Sequence, residues 1–330
     1  MLHASPIQRC SLALLAGLGL CAASSAIQAQ TYPNRPVRLI VPYPPGGPTD
    51  FVGRTAAQKL GEALGQQFVV DNRSGAAAMI GTDLGAKAAP DGYTLTFATG
   101  GGMVIAPLVA PKPMYDASKD FAAISLLVIS PQIIVAHPAF PPNTVKELIA
   151  AAKAKPHAYN FASVGVGSPN HLGGELIKVM ANVDIVHVPY KGTSPAITDL
   201  VAGQTQFMFS SMPSVLGLVK AGKLKIIATG GLKRSPVIPD VPAVAETLPG
   251  FEVVTWYGIA GPAKLPRDIV MKLNKELVRI VAMPDVQKRF MEQGLEPQSS
   301  TPEEFLAFMK REVEKWTSVA KKAGVGPEKS

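Results

Sequence analysis

The chain has 330 residues, 47% of them hydrophobic and 17% charged, which suits two globular domains with a sizeable core in each and excludes a disordered chain. Its formal net charge is +8, yet lysines and arginines are dispersed without a basic run and aromatics make up only 6%. That argues against a nucleic-acid binder and leaves a mild positive field that favours small anions.

Arg9 is the only charged side chain before Gln30, and SLALLAGLGL (11–20) is an apolar run too short to span a bilayer, which takes about 20 residues. With the small residues of AASSAIQA (22–29) it reads as a secretory signal peptide over residues 1–29. Removing it lowers the net charge from +8 to +7. Leu20 stands before Cys21, where lipoprotein processing needs a small residue, so lipidation is not expected. Both cysteines, Cys10 and Cys21, lie in this leader, so disulfide, zinc-thiolate and thiol-nucleophile chemistry are excluded from the mature chain. No later segment is long and apolar enough to cross a membrane.

Short apolar runs then alternate with helical patterns. VRLIVPY (37–43), QFVVDN (67–72), YTLTFAT (93–99), SLLVIS (125–130), QIIVAHP (132–138), YNFASV (159–164), DIVHVPY (184–190), QFMFSS (206–211), LKIIATG (224–230) and VVTWYGIAG (253–261) read as strands. Most are continuous rather than alternating, as in strands covered on both faces, and the strand–helix alternation predicts parallel sheets. Thr144 with Glu147, and Thr301 with Pro302 and Glu304, predict helix starts with capping boxes. The second helix keeps Phe305, Leu306, Met309, Val313 and Trp316 on one face, for packing along the outside of a domain. The adjoining runs about Pro131 and the long segment 253–261 read as two crossings between lobes. Domain one is then discontinuous, residues 30–130 plus 255–330, and domain two is 131–254.

Four strand ends carry unusual chemistry. In YPPGGPTD (43–50) prolines fix φ and glycines open conformations closed to other residues. Thr49 or Asp50 can cap the helix that follows, whose first amides accept a carboxylate or phosphate oxygen. The bland reading is a tight turn that merely joins strand to helix. NFASVGVGSPNHL (160–172) repeats the logic through Ser163, Gly165, Gly167 and Ser168, with a helix from Pro169 carrying His171. HVPYKGTSPAITDL (187–200) enters a helix near Ser194, and FATGGGM (97–103) ends in three glycines. Open α/β sheets bind ligands at such strand ends. Two junctions on each domain suit a small anion with a carboxylate at one or both ends.

Enzyme motifs fare poorly. The 165–170 segment starts like a dinucleotide loop but lacks the third glycine. GLVKAGK (217–223) has P-loop spacing, but Leu224 stands where Ser or Thr must meet magnesium, and the run precedes a strand. His171 near Ser163 and Ser168 could serve a hydrolase, although a histidine at a helix start more commonly bonds its own loop.

PPGGPTD, LGQQFVVDNRSGA, APDGYTLTFAT, PQIIVAHP, ELIAAAKAKP, NFASVGVGSPNHL, HVPYKGTSPAITDLVAGQ, IPDVPAVAE, WYGIAGP and TPEEF follow one another in an order that resembles the Bug-type periplasmic solute receptors of tripartite tricarboxylate transporters, over about residues 31–326. The resemblance implies an α/β, two-lobed periplasmic-binding-protein (Venus flytrap) fold, with mostly parallel sheets flanked by helices and a ligand cleft between the lobes. It implies capture of a small organic carboxylate for delivery to membrane transporter subunits, by a monomer that is not itself membrane-spanning and uses no cofactor, metal or catalysis. Ligand contacts implied are Tyr43, Gly46, Gly47, Thr49 and Asp50 in the first loop, and Ser163, Gly165, Gly167, Ser168 and His171 in the second. Tyr190 and Thr193 border the cleft, and Asp199 is a ligand contact or a buried anchor. Where the family reads NRPGAGG this chain has NRSGAAA (72–78), so that loop should approach a ligand less closely. Gly100, Gly101, Gly102 and Met103 lie where members vary, a position to influence which substituent is accepted. A secreted hydrolase and a ligand-sensing flytrap remain the alternatives.

Overall fold

In the computed structural model residues 32–326 are described, so the expected signal peptide lies outside the described residues. Of these, residues 35–326 belong to one compact unit.

The first sheet grows from β1 (Val37–Val41), which is buried at nearly every position. Helix α1 (Pro48–Leu64) leads to β2 (Phe68–Asn72), and α2 (Met79–Ala86) leads to β3 (Thr94–Thr99). Each helix is a crossover, so β1 pairs in parallel with both β2 and β3, as a helical return requires. A π-helical turn (Gly101–Ile105) and α3 (Ala106–Val109) then lead to β4 (Phe121–Pro131).

The chain leaves this sheet at Gln132 and builds a second one. In order these elements are β5 (Ile133–Ala136), α4 (Val145–Ala154), β6 (Asn160–Ser163), α5 (Pro169–Ala181), β7 (Val186–Pro189), α6 (Thr193–Val201), β8 (Phe207–Ser210), α7 (Met212–Lys220) and β9 (Lys225–Thr229). It returns through β10 (Val254–Pro262) and finishes with α8 (Arg267–Val281), α9 (Pro284–Glu292), β11 (Glu296–Pro297) and α10 (Pro302–Lys322). The sheets run β11-β4-β10-β3-β1-β2 and β7-β6-β8-β5-β9.

The predicted strands all form, but the expectation of mostly parallel sheets needs correction. β6 lies parallel to β7 and β8, whereas β10 is antiparallel to β3 and β4, and β5 to β8 and β9. Strands that enter a sheet from the other lobe have no crossover helix to turn them round, so they run against their neighbours. β11, which no apolar run announces, is a two-residue strand held antiparallel to Ile129 and Val128.

The starts of α4 and α10 follow their sequence signals with one variation. Thr301 and Glu304 form the full capping box. Thr144 accepts the Glu147 N–H at 3.1 Å, but the Glu147 carboxylate reaches back to the Asn143 amide at 2.7 Å, one residue further. Helix α8 buries Val270, Leu273, Leu277 and Ile280, a stripe at helical spacing, against β4. Helix α10 does more than cover one domain. It packs on β4 of the first sheet and on α5 of the second lobe, with Phe305 edge-on to Trp256.

At the crossings the two connecting segments lie side by side. Gln132 N–H donates to Val253 O at 3.0 Å, Gly230 N–H to Gln132 O at 2.6 Å, and Val253 N–H to Gly230 O at 2.8 Å.

Candidate functional site

The β1–α1 turn is built for close approach. Gly46 has φ +90, a conformation glycine alone adopts without strain. Gly47 is the N-cap and Pro48 the first helical residue, with no side-chain cap. The expectation that Thr49 or Asp50 caps α1 is therefore corrected: both lie inside the first turn. Proline has no N–H and the Phe51 amide bonds Gly47 O, so the Thr49 and Asp50 amides have no intrahelical acceptor.

Asp50 holds this turn in place instead of facing a ligand. Its buried carboxylate accepts from the Gly46 amide at 3.0 Å, Arg54 Nε at 2.9 Å and Asn72 Nδ2 at 3.0 Å. Asn72 also donates to Tyr43 O at 3.0 Å and accepts from Arg54 Nη2 at 3.1 Å. Burial pulls the Asp50 carboxyl upward, but Arg54, the Gly46 amide and Asn72 outweigh it and hold it below the usual carboxylate range. The ring of three side chains ties the turn to α1 and to the end of β2.

Beside the turn lies a cavity of about 500 Å³ between the lobes. Tyr43, Gly47 and Thr49 line it from the turn, with the rings of Pro44, Pro45 and Pro48. Thr99 and Gly101 line it from the end of β3, Thr255 and Tyr257 from β10, and Pro169 from the second lobe. The Tyr43 and Thr99 hydroxyls are 3.2 Å apart. Burial raises the pKa of both Tyr43 and Tyr257, so both phenols stay neutral and able to donate. A Cβ on Gly101 would stand 2.7 Å from the Tyr43 hydroxyl, which explains a glycine there. Met103 is buried in the core, so it does not meet a ligand substituent as the sequence suggested.

The NRSGAAA loop keeps a glycine-like backbone without glycines. Ala76, Ala77 and Ala78 have φ of 45, 53 and 78, each in the left-handed region that costs an L-residue roughly 1–2 kcal/mol. Ala78 packs under the π-turn, where a Cβ on Gly102 would lie 3.3 Å from its own. The loop supports the cavity wall and does not line it.

The second-lobe candidates form a tight cluster next to the cavity. Gly165 and Gly167 have φ +136 and +76, and a Cβ on Gly167 would be 2.8 Å from Val109 of the first lobe. Ser168 caps α5 by accepting the His171 N–H at 3.2 Å and donates to Gly165 O at 2.7 Å. Ser163 meets His187 Nε2 at 2.6 Å, and His171 Nδ1 accepts the Gly167 N–H at 3.1 Å. The two imidazoles stack with centroids 3.8 Å apart. Burial pushes both down to about 4, aided by Lys178 and, for His187, by His171. Tyr190 donates to Asp199 at 2.7 Å, so Asp199 anchors Tyr190, whose phenol is pushed up to about 12 by burial and that carboxylate. Thr193 opens α6 behind Gly192.

None of these second-lobe side chains lines the cavity; Pro169 alone of that lobe does. The pairing of Ser163 or Ser168 with His171 that a hydrolase would need is not assembled either. His171 offers its ring nitrogen to an amide, Ser163 is fully buried against His187, and Ser168 is a cap. Sequence reasoning missed Thr255 and Tyr257, although strand alternation places them on one face of β10 with Trp256 on the other. It also missed Asn72 and Arg54, whose partners are distant in sequence.

Two α/β lobes joined by crossing strands, with a cavity between them at strand ends and an uncapped helix start, define a solute-binding protein of the periplasmic type. The sequence profile of the tripartite tricarboxylate transporter family receptor matches residues 52–325, and the chain belongs to that family. It is 35% identical to Protein BugT of Bordetella pertussis over 94% of this chain and 97% of that one. It is similar to Rpa4515 of R. palustris solved with adipate, at TM-score 0.74 and 33% identity, covering 90% and 99% of the two chains. MatC (Rpa3494) of Rhodopseudomonas palustris with bound malate gives a TM-score of 0.69 and 33% identity, covering 87% and 99%.

Proposed function

We propose that this protein is the periplasmic receptor that captures a small organic carboxylate and presents it to the membrane subunits of a tripartite tricarboxylate transporter. The observation that carries the reading is the uncapped start of α1 in the wall of an interlobe cavity with neutral hydroxyls. The Thr49 and Asp50 amides, the end of the helix dipole and the Tyr43, Thr49, Thr99 and Tyr257 hydroxyls would hold the carboxylate. The adipate and malate complexes of its structural relatives support the same ligand class.

Residues 30–130 plus 255–330 act as one lobe and 131–254 as the other, rotating about the paired crossings at Gln132 and Val253. Ligand held by the first lobe is then met by the second, and the closed form gains population in proportion to that added contact. Gly46 and Asp50 shape the first wall. Ser163, Gly165, Gly167, Ser168, His171, Tyr190, Thr193 and Asp199 fix the backbone of the second. No bond is made or broken, and secretion through residues 1–29 places the monomer in the periplasm.

The test is thermal melting of residues 30–330, unfolded and refolded to strip ligand, against organic acids. At 100 times its dissociation constant a ligand adds about 2.7 kcal/mol, a rise on the order of 5–10 °C at this size. Gly47→Val should abolish that shift without unfolding the protein. A Cβ there meets nothing closer than Thr49 Oγ1 at 4.0 Å, while the larger side chain fills the ligand's approach. A flat response to every carboxylate would refute the proposal.

A further inference from the structure

Beside the cavity a chain of three side chains crosses from one lobe to the other, and its hydrogens can run in only one sense. It starts at the backbone carbonyl of Phe209 in β8, which can only accept. Asn170, the second residue of α5, therefore turns its side-chain NH2 to that oxygen. The same NH2 has a second hydrogen, directed at the Gln132 side chain 3.3 Å away, so Gln132 must offer Oε1 there. Its Nε2 is left for the other arm, where it donates to Thr255 Oγ1 at 2.9 Å. Gln132 and Asn170 are only 3% and 9% exposed, so water competes little for either amide.

The consequence falls on Thr255. Its oxygen accepts from Gln132, so its own hydrogen cannot go back along the chain. The hydroxyl makes no other hydrogen bond among the described residues. Thr255 lines the cavity from β10, on the same face as Tyr257. A hydroxyl that already accepts a hydrogen bond is polarised into a stronger donor. Tyr43 and Thr99 differ in this respect, because their hydroxyls lie 3.2 Å apart and either can donate to the other. At Thr255 the sense is fixed by a backbone carbonyl two side chains away.

We infer that Thr255 is a ligand contact, donating its hydroxyl hydrogen to an oxygen of the bound acid, and that Gln132 and Asn170 are positioning residues that aim it. The inference rests on the reading that this cleft holds a carboxylate, and it adds to that site a donor set by both lobes. A carboxylate oxygen in that place receives a charge-assisted hydrogen bond. Gln132 is well placed to aim a neighbour, since its own backbone is held at the crossing by Val253 O and the Gly230 amide. The bond from Gln132 to Thr255 joins segment 131–254 to segment 255–330 at the hinge.

Titration calorimetry on the stripped, refolded protein tests this, with hexanoate, adipate, malate, citrate and benzoate as probes and each variant checked for a cooperative melt. Thr255→Val keeps the shape and removes the hydroxyl; it should weaken the best probe at least about tenfold. Thr255→Ser keeps the hydroxyl and should stay within about threefold of wild type. Gln132→Met removes the aiming group. It should cost at least about fivefold in the wild-type background but less than about twofold further in Thr255→Val, because it acts through that hydroxyl. Unchanged affinity in Thr255→Val, or an equal loss in Thr255→Ser, would overturn the contact and leave the carboxylate receptor standing. Equal losses from Gln132→Met in both backgrounds would overturn the positioning role. Failure of the wild type to bind any of the five acids would overturn the carboxylate reading and this inference together.

Discussion

Asp50→Ala separates a clamp from a ligand contact. The carboxylate is 7% exposed and accepts three hydrogen bonds, at 3.0, 2.9 and 3.0 Å. Charged hydrogen bonds contribute about 1.5–3 kcal/mol each when their partners stay buried. Here the Arg54 side chain is 54% exposed and Gly46 is exposed, so both regain water and their shares fall toward about 0–1 kcal/mol. The half-buried Asn72 loses more, and an acidic residue in the first helical turn adds roughly 0.3–1 kcal/mol through the dipole. The sum is on the order of 2–3 kcal/mol, or about 5–10 °C in Tm. The measurement is urea unfolding of the stripped protein at pH 7, wild type against variant, followed by ligand titration. A clamp predicts that ligand-free stability falls and affinity falls with it, as the turn loosens. Unchanged ligand-free stability with lost affinity would refute the clamp and return Asp50 to the ligand.

Acid should destabilise the second lobe through its histidine pair. His171 and His187 have folded values near 4 against an ordinary 6.5, so the unfolded chain binds protons first. Their contribution is complete above pH 6.5 and is lost as pH falls toward 4. For the buried His171 this is on the order of 3 kcal/mol. Unfolding midpoints at pH 7 and 5, with His187→Gln as the comparison, should show the drop shrink in the variant; equal drops would contradict the assignment. Ala77→Gly should stabilise the protein by about 0.5–1 kcal/mol. It relieves roughly 1–2 kcal/mol of left-handed strain against about 0.4–1 kcal/mol of extra unfolded-state entropy. A lower Tm would argue against that backbone. Gly81→Ala puts a Cβ 2.4 Å from Arg73 O and 2.8 Å from Pro42 Cα. Since backbone must move, the loss should be about 1–3 kcal/mol, with weaker ligand binding because Pro42 precedes Tyr43. Normal stability in that variant would mean the two loops are not packed as described.

Much of this molecule is legible in its sequence. Continuous apolar runs such as FAAISLLVISP can be satisfied only by burial on both faces. Prolines, glycines and capping residues act within a few positions of themselves, so Ser168 and Thr301 mark helix starts before any contact is known. The strand ends that bear the site are readable for the same local reason. Which of their residues face the ligand is a different matter. Asp50 looks like a contact until Asn72 and Arg54 close around it. His171 looks like a base until the Gly167 amide claims its ring nitrogen. Thr255 and Tyr257, far along the chain, enter the site only because β10 crosses between the lobes and runs antiparallel to β3 and β4. The three alanines at 76–78 show the limit most directly, since packing holds them where local preference alone would place glycine. Sequence determined the elements and their ends, because those depend on near neighbours; tertiary structure decided which polar groups were left free for a ligand, because each hydrogen bond is claimed by whichever partner the fold brings within reach.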